Sequence, residues 1–145
     1  MQQSQKIFSL EEAELLVPFI SNAFSEIFRL NEKIRELTTD INDLLGIWGE
    51  EITDSRHVDH EMYRERLESR NSIFREAQSI FEEISRTGAV IKDTETGLVD
   101  FYSKRGEELI MLCWKFGEER IKFWHPVAGG FGKRKPVEEL GKKQD

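Results

Sequence analysis

The stretch AFSEIFRLNEKIRELTTDINDLLGIW, residues 23–48, decides the fold. Ala23, Ile27, Leu30, Ile34, Leu37, Ile41, Leu44 and Trp48 recur in it at alternating spacings of four and three. On an α-helix that heptad rhythm gathers the side chains into one stripe, which must face a partner helix. Toward the N-terminus, Ser9 and Glu12 have the Ser-x-x-Glu spacing of a capping box, with Phe8 and Ala13 placed as a hydrophobic staple. Lys6-Ile7-Phe8 reads as an extended lead-in, and Pro18 predicts a kink because it lacks a backbone donor. Gly46 and Gly49 mark the helix end. A helix over residues 10–48 spans about 58 Å, too long to be covered by a compact core alone.

The partner follows directly. Residues 50–58 are polar, with Asp54, Ser55 or Asp59 available as an N-cap, and a second helix runs to about Arg86. Its apolar stripe is regular from Ile73 onward and crowded by Arg64, Arg66 and Arg70 before that. Gly88 is placed to stop it in the left-handed conformation. A short connection between long helices predicts an antiparallel hairpin over about 9–87. From Ala89 the period becomes strand-like. Residues 89–92, 98–101, 109–115 and 120–125 read as strands with Gly-containing joins, an antiparallel sheet of three to four strands over about 89–125. The fold class is therefore α+β, one domain over 1–136, with a Gly-rich basic loop at 126–136 and a disordered tail at 137–145.

The 145 residues carry a net charge of −7, which argues against nucleic acid and against anionic membrane surfaces as partners. One cysteine, Cys113, has no internal disulfide partner. The first residues do not read as a signal peptide, and no apolar run is long enough for a membrane span, so the expected location is cytoplasmic.

Gly88, Lys92-Asp93, Gly97-Leu98-Val99-Asp100-Phe101, Leu112-Cys113-Trp114, Gly117-Glu118, Trp124-His125, Gly130-Phe131, Arg134 and Pro136 form a distinctive series. With the opening Phe8-Ser9-Leu10-Glu11-Glu12-Ala13 and the Leu16, Pro18 pair, the chain from about Lys6 to Pro136 resembles the prokaryotic domain of unknown function 2203 family. That resemblance implies a bacterial or archaeal cytoplasmic protein and brings no activity with it. It directs attention to Lys92–Arg134, where most of the motif lies.

Five constellations carry chemistry. Cys113-Trp114 and Trp124-His125 offer a thiol and an imidazole on adjacent strands, the donor types of a metal site or an activated nucleophile. If Cys113 is opposite Phe123 and His125 opposite Met111, the two share a face as diagonal neighbours with Cα atoms about 7–8 Å apart. A one-residue slip puts them on opposite faces. The plainer reading is a buried core cysteine and a strand-end histidine. His57 and His60 are spaced to share a helix face and ligate a divalent metal, although two solvated histidines at a polar helix start explain them as well. Among the carboxylates Asp93, Glu95, Asp100, Glu118 and Glu119, only Asp100 interrupts an apolar strand, so it faces solvent or a cation such as Lys92 or Arg134. Gly129–Lys135 has the glycines and charge of a phosphate cradle without the P-loop spacing, and a solvated flexible loop is the plainer account. Finally, internal pairing of the two helices is the plainer account of the seam, but the arginines of 62–70 leave Ile34–Trp48 a polar partner, which points to packing against a second copy or another protein.

The leading expectation is an interaction or scaffolding module that self-associates through the hairpin as a homodimer, or binds a partner protein. The alternative is a small enzyme or a metal- or ligand-binding protein. Its catalytic candidates are Asp100, Cys113 and His125, its ligand-binding candidates Lys92, Trp114, Trp124 and Arg134, and its further metal candidates His57 and His60. No cofactor is predicted, although a divalent metal fits the donor types.

Overall fold

The structure, a computed structural model, describes residues 5–141. Helix α1 runs over Leu10–Trp48 and α2 over His60–Arg86, joined by a 3-10 turn at Gly49–Thr53 whose Ile52 is buried. Strands β1 (Val90–Asp93), β2 (Leu98–Arg105), β3 (Glu108–Lys115), β4 (Phe123–Pro126) and β5 (Lys135–Pro136) follow. They form one antiparallel meander in chain order. The α+β expectation holds, with five strands in place of three or four. Among the described residues no helix is long and apolar enough to cross a membrane.

The described chain divides into two compact units. Ser25–Phe81 is the hairpin unit. In it Ile27, Leu30 and Ile41 of the heptad stripe are buried, while Ile34, Leu37 and Leu44 are half-buried. Two of the crowding arginines find polar partners on α1, where Arg70 donates to Thr38 Oγ1 at 3.3 Å and Arg66 lies 3.6 Å from Asp40, while Arg64 pairs with Glu61 and Glu68 of its own helix. At the connection, Trp48 donates through Nε1 to Asp59 Oδ2 at 2.9 Å, immediately before α2 begins.

The other unit joins the described residues up to Phe24 with those from Glu82 onward. The capping box is present in full: Glu12 N–H donates to Ser9 Oγ at 3.1 Å and Ser9 N–H to Glu12 Oε1 at 2.9 Å. Helix α1 continues through Pro18. The extended lead-in docks on the sheet, where Phe8 N–H donates to Tyr102 O at 2.7 Å and Ser103 Oγ donates back to Phe8 O at 2.6 Å. Phe8 packs edge-on against Phe101 with centroids 5.2 Å apart, and Phe24 meets Trp114 at 6.3 Å. Burial of each such side chain contributes about 1.5–3 kcal/mol. The β1–β2 turn depends on Gly97, whose φ is +76° and whose missing Cβ leaves room for Phe116.

Two expectations change. Strand β2 extends to Arg105 and turns tightly into β3 through Gly106 and Glu107, because Gly106 at φ +62° permits a tight turn and the charged stretch 104–108 stays mostly exposed at the end of the hairpin. The tail assigned to 137–145 is structured in its first part: Val137 N–H donates to Lys122 O at 2.9 Å and Leu140 is 2% exposed. Residues 142–145 lie outside the described residues.

Candidate metal centre

The strand register decides the site. Met111 pairs with His125 and Cys113 with Phe123, the alignment that puts Cys113 and His125 on one face. Asp100 pairs directly with Cys113 across β2 and β3. Because strand residues alternate faces, Asp100, Cys113 and His125 point to the same side of the sheet, while Trp114 and Trp124 point to the other. Asp100, Cys113 and His125 are 2%, 0% and 2% exposed. One ligand atom from each lies within 4.8 Å of the others, the one such convergence of three or more His, Cys, Asp or Glu among the described residues.

The partners are tightly specified. His125 Nε2 lies 3.0 Å from Asp100 Oδ2, and Asp100 Oδ1 is buried with no hydrogen-bond partner. On the other side of the ring, His125 Nδ1 lies 2.7 Å from Pro126 O and 3.2 Å from Gly130 N. Gly130 adopts φ +70°, which a side chain would resist, and this aims its N–H at the imidazole. Nδ1 thus lies between an acceptor, Pro126 O, and a donor, Gly130 N–H. With its proton on Nε2 the ring donates to Asp100 and accepts from Gly130; with its proton on Nδ1 it donates to Pro126 O and leaves the Nε2 lone pair for a metal ion.

Burial, with the adjacent Asp100 charge, pushes the Cys113 thiol up to about 12. A thiol held there is protonated at neutral pH and is not a nucleophile. The relay arrangement is absent as well, since the ring nitrogen of His125 away from Asp100 contacts backbone. A metal ion reverses this logic, because a coordinating thiol is deprotonated by the ion's own charge.

The remaining sequence candidates distribute around this group. Arg134 does not pair with Asp100. Its Nη2 donates to both oxygens of Glu118 at 2.8 Å, and its guanidinium lies 3.9 Å from the Phe123 ring centroid and 4.6 Å from that of Phe131. The Gly-rich loop is thereby pinned to the β3–β4 turn, with its arginine already neutralised. Lys92 is exposed, and Trp114 Nε1 donates to Glu118 O at 2.8 Å on the opposite face. Trp124 likewise lies outside the group, because the pleat turns it away from its neighbour His125. Asp93 Oδ1 accepts from Glu95 N–H at 2.9 Å, an ordinary turn role. His57 and His60 use Nδ1 on backbone: His57 accepts from Asp59 N at 3.0 Å, and His60 lies 2.8 Å from Ile52 O. Pro126 and Gly130 act through main-chain atoms, which residue identity does not advertise.

No curated protein and no solved structure matches the chain. The model of the family described as "Uncharacterized conserved protein (DUF2203)" matches residues 6–137, and the chain belongs to that family.

Proposed function

We propose that this protein binds one divalent transition-metal ion through Asp100, Cys113 and His125. The observation carrying the reading is the buried convergence of carboxylate, thiol and imidazole with one carboxylate oxygen left unpaired. An N, O, S donor set suits Zn²⁺ and similar borderline ions, which bind such atoms at about 2.0–2.3 Å in tetrahedral geometry. The 2.7 Å approach of Nδ1 to Pro126 O supplies the outer contact that orients a metal-bound histidine. Three protein ligands leave one tetrahedral position for water or a small ligand. A reducing, cytoplasmic location fits a free thiol kept for coordination.

The test is cobalt reconstitution of chelator-stripped protein, read by absorption and by metal content. Stoichiometric uptake with a thiolate-to-cobalt charge-transfer band, lost in Cys113→Ser and weakened in His125→Gln, is expected. Uptake absent, or unchanged in both variants while circular dichroism shows them folded, sinks the reading.

A second reading rests on the hairpin unit, where Ile47 is 70% exposed and Met62 45% exposed. With Leu44 they line a groove of about 200 Å³ that also carries Asp40, Asp43 and Arg66. A groove holding both charge signs beside apolar surface is self-complementary, so a second copy related by a two-fold axis is its occupant. Sedimentation velocity should show a dimer that Ile47→Asp dissociates; a wild-type monomer across the concentration range removes this reading.

A further inference from the structure

The face of the sheet opposite the metal group holds a cluster made entirely of donors. Trp124 is 1% exposed, yet its indole Nε1 has no hydrogen-bond partner. Arg105, at the end of β2, places its guanidinium carbon 5.3 Å from the Trp124 ring centroid. Its Nε is also buried without a partner. Lys135 on β5 pairs directly with Trp124 in the sheet, and its Nζ is 5.3 Å from the same centroid. Three strands thus bring two cations and two orphaned N–H groups onto one indole.

This is unusual for two physical reasons. Buried donors in folded proteins are nearly always paired, because leaving one unpaired forfeits its hydration with nothing in return. In a chain with seven excess negative charges, cations also find carboxylates readily, as Arg66, Arg86 and Arg134 do. Arg105 and Lys135 have no carboxylate within 4.0 Å among the described residues.

We propose that Arg105, Trp124 and Lys135 form a binding site for a small oxyanion group, a phosphate or a carboxylate. One oxygen accepts from Trp124 Nε1–H and another from Arg105 Nε–H, while the Lys135 ammonium supplies the second positive charge. Charge-assisted N–H···O⁻ contacts are the strong class of hydrogen bond, and here they fall on donors that have no competing acceptor. The indole holds both cations in place before the anion arrives, so little side-chain ordering is left for binding to impose. Access runs past Lys135, which is exposed and can swing aside, and past half-buried Arg105. The buried position of Nε1 limits the ligand to a compact oxyanion or to the terminal group of a larger molecule.

The experiment is isothermal titration of the full chain with inorganic phosphate and, in a separate arm, with acetate. Saturable binding of one anion per chain is expected, and whichever of the two binds more tightly assigns the group. Arg105→Gln and Lys135→Gln should each weaken it by about tenfold, an ordinary consequence of removing one charged contact. Trp124→Phe keeps an aromatic surface under the cations but removes the N–H, and it should weaken binding and abolish the anion-dependent fluorescence change while Trp48 and Trp114 remain. Cys113→Ser should bind the anion as wild type does, which separates this site from the metal group. Absence of saturable binding of both anions overturns the proposal. So does binding that survives Lys135→Gln undiminished, a substitution at an exposed position that leaves the fold intact.

Discussion

Replacing Gly97 with alanine should cost this protein far more than the same change at Gly106. Both residues sit in the left-handed region, at φ +76° and +62°, so each substitution pays the backbone penalty of about 1–2 kcal/mol for an L-residue there. They differ in what the new methyl meets. At Gly106 nothing lies within 4 Å, whereas at Gly97 the Cβ falls 2.7 Å from Phe116 Cβ and 3.5 Å from the Phe24 ring. Phe116 cannot simply rotate away, because the clash is at its Cβ and its N–H donates to Gly97 O at 2.8 Å. Relieving the overlap means moving the strand end, at about 1–3 kcal/mol for overpacking, and weakening that hydrogen bond adds about 0.5–1.5 kcal/mol. Gly97→Ala should therefore lose about 2.5–6.5 kcal/mol and Gly106→Ala about 1–2 kcal/mol. Urea unfolding followed by far-ultraviolet circular dichroism measures both. Equal losses, within the usual additivity error of about 0.5 kcal/mol, would refute the packing assigned to the β1–β2 turn.

Ser9→Ala should cost about 0.5–2 kcal/mol, since it removes the cap bond to Glu12 N–H. The Glu12 carboxyl is held below its ordinary 4.5 chiefly by the Ser9 N–H, so its contribution is present above pH 4.5 and fades on acidification through its lowered value. Stability measured from pH 7 to pH 3 should fall by less in Glu12→Gln than in wild type, and parallel curves would contradict the assignment. Ile41→Ala in the buried stripe should lose about 2–5 kcal/mol, while Leu15→Ala, 81% exposed on the same helix, should fall within about 0.5 kcal/mol of wild type; a reversed order would contradict the burial of the stripe. In metal-free protein, Cys113 should react with iodoacetamide at neutral pH only after urea is added, because burial holds its thiol up near 12. Rapid labelling of the folded chain would be incompatible with that environment.

The hairpin was readable because heptad spacing repeats over several turns, and a repeated period leaves one interpretation. The capping box was readable because four residues contain both halves of its hydrogen bonding. The sheet yielded less. Asp100 stood out as an acid inside an apolar strand, yet its partner His125 could not be named, because their meeting depends on a register that side-chain alternation alone leaves open. The same parity argument, once the register is known, removes Trp124 from the group and turns it toward Arg105. Strand β5 has two residues, Lys135 and Pro136, too short for any periodicity to appear. Arg105 went unnoticed because its role depends on a ring nineteen positions further along the chain, on a strand that is not its neighbour.

The division into units has a consequence for how the chain reaches its native state. The sheet-bearing unit is assembled from two stretches separated by the whole of Ser25–Phe81. Joining Phe8 to Tyr102 and Phe24 to Trp114 from an unstructured chain would carry a closure cost of about 3–4 kcal/mol for an intervening segment of that length. Contacts between α1 and α2 are more local, and helices form within microseconds. Early zipping of the hairpin would therefore deliver the lead-in and the sheet to each other with most of that entropy already spent. The long helices then act as a folding tether. Substitutions in their buried stripe should slow refolding of the sheet as well as lower stability, a kinetic coupling that stopped-flow fluorescence of Trp114 can follow.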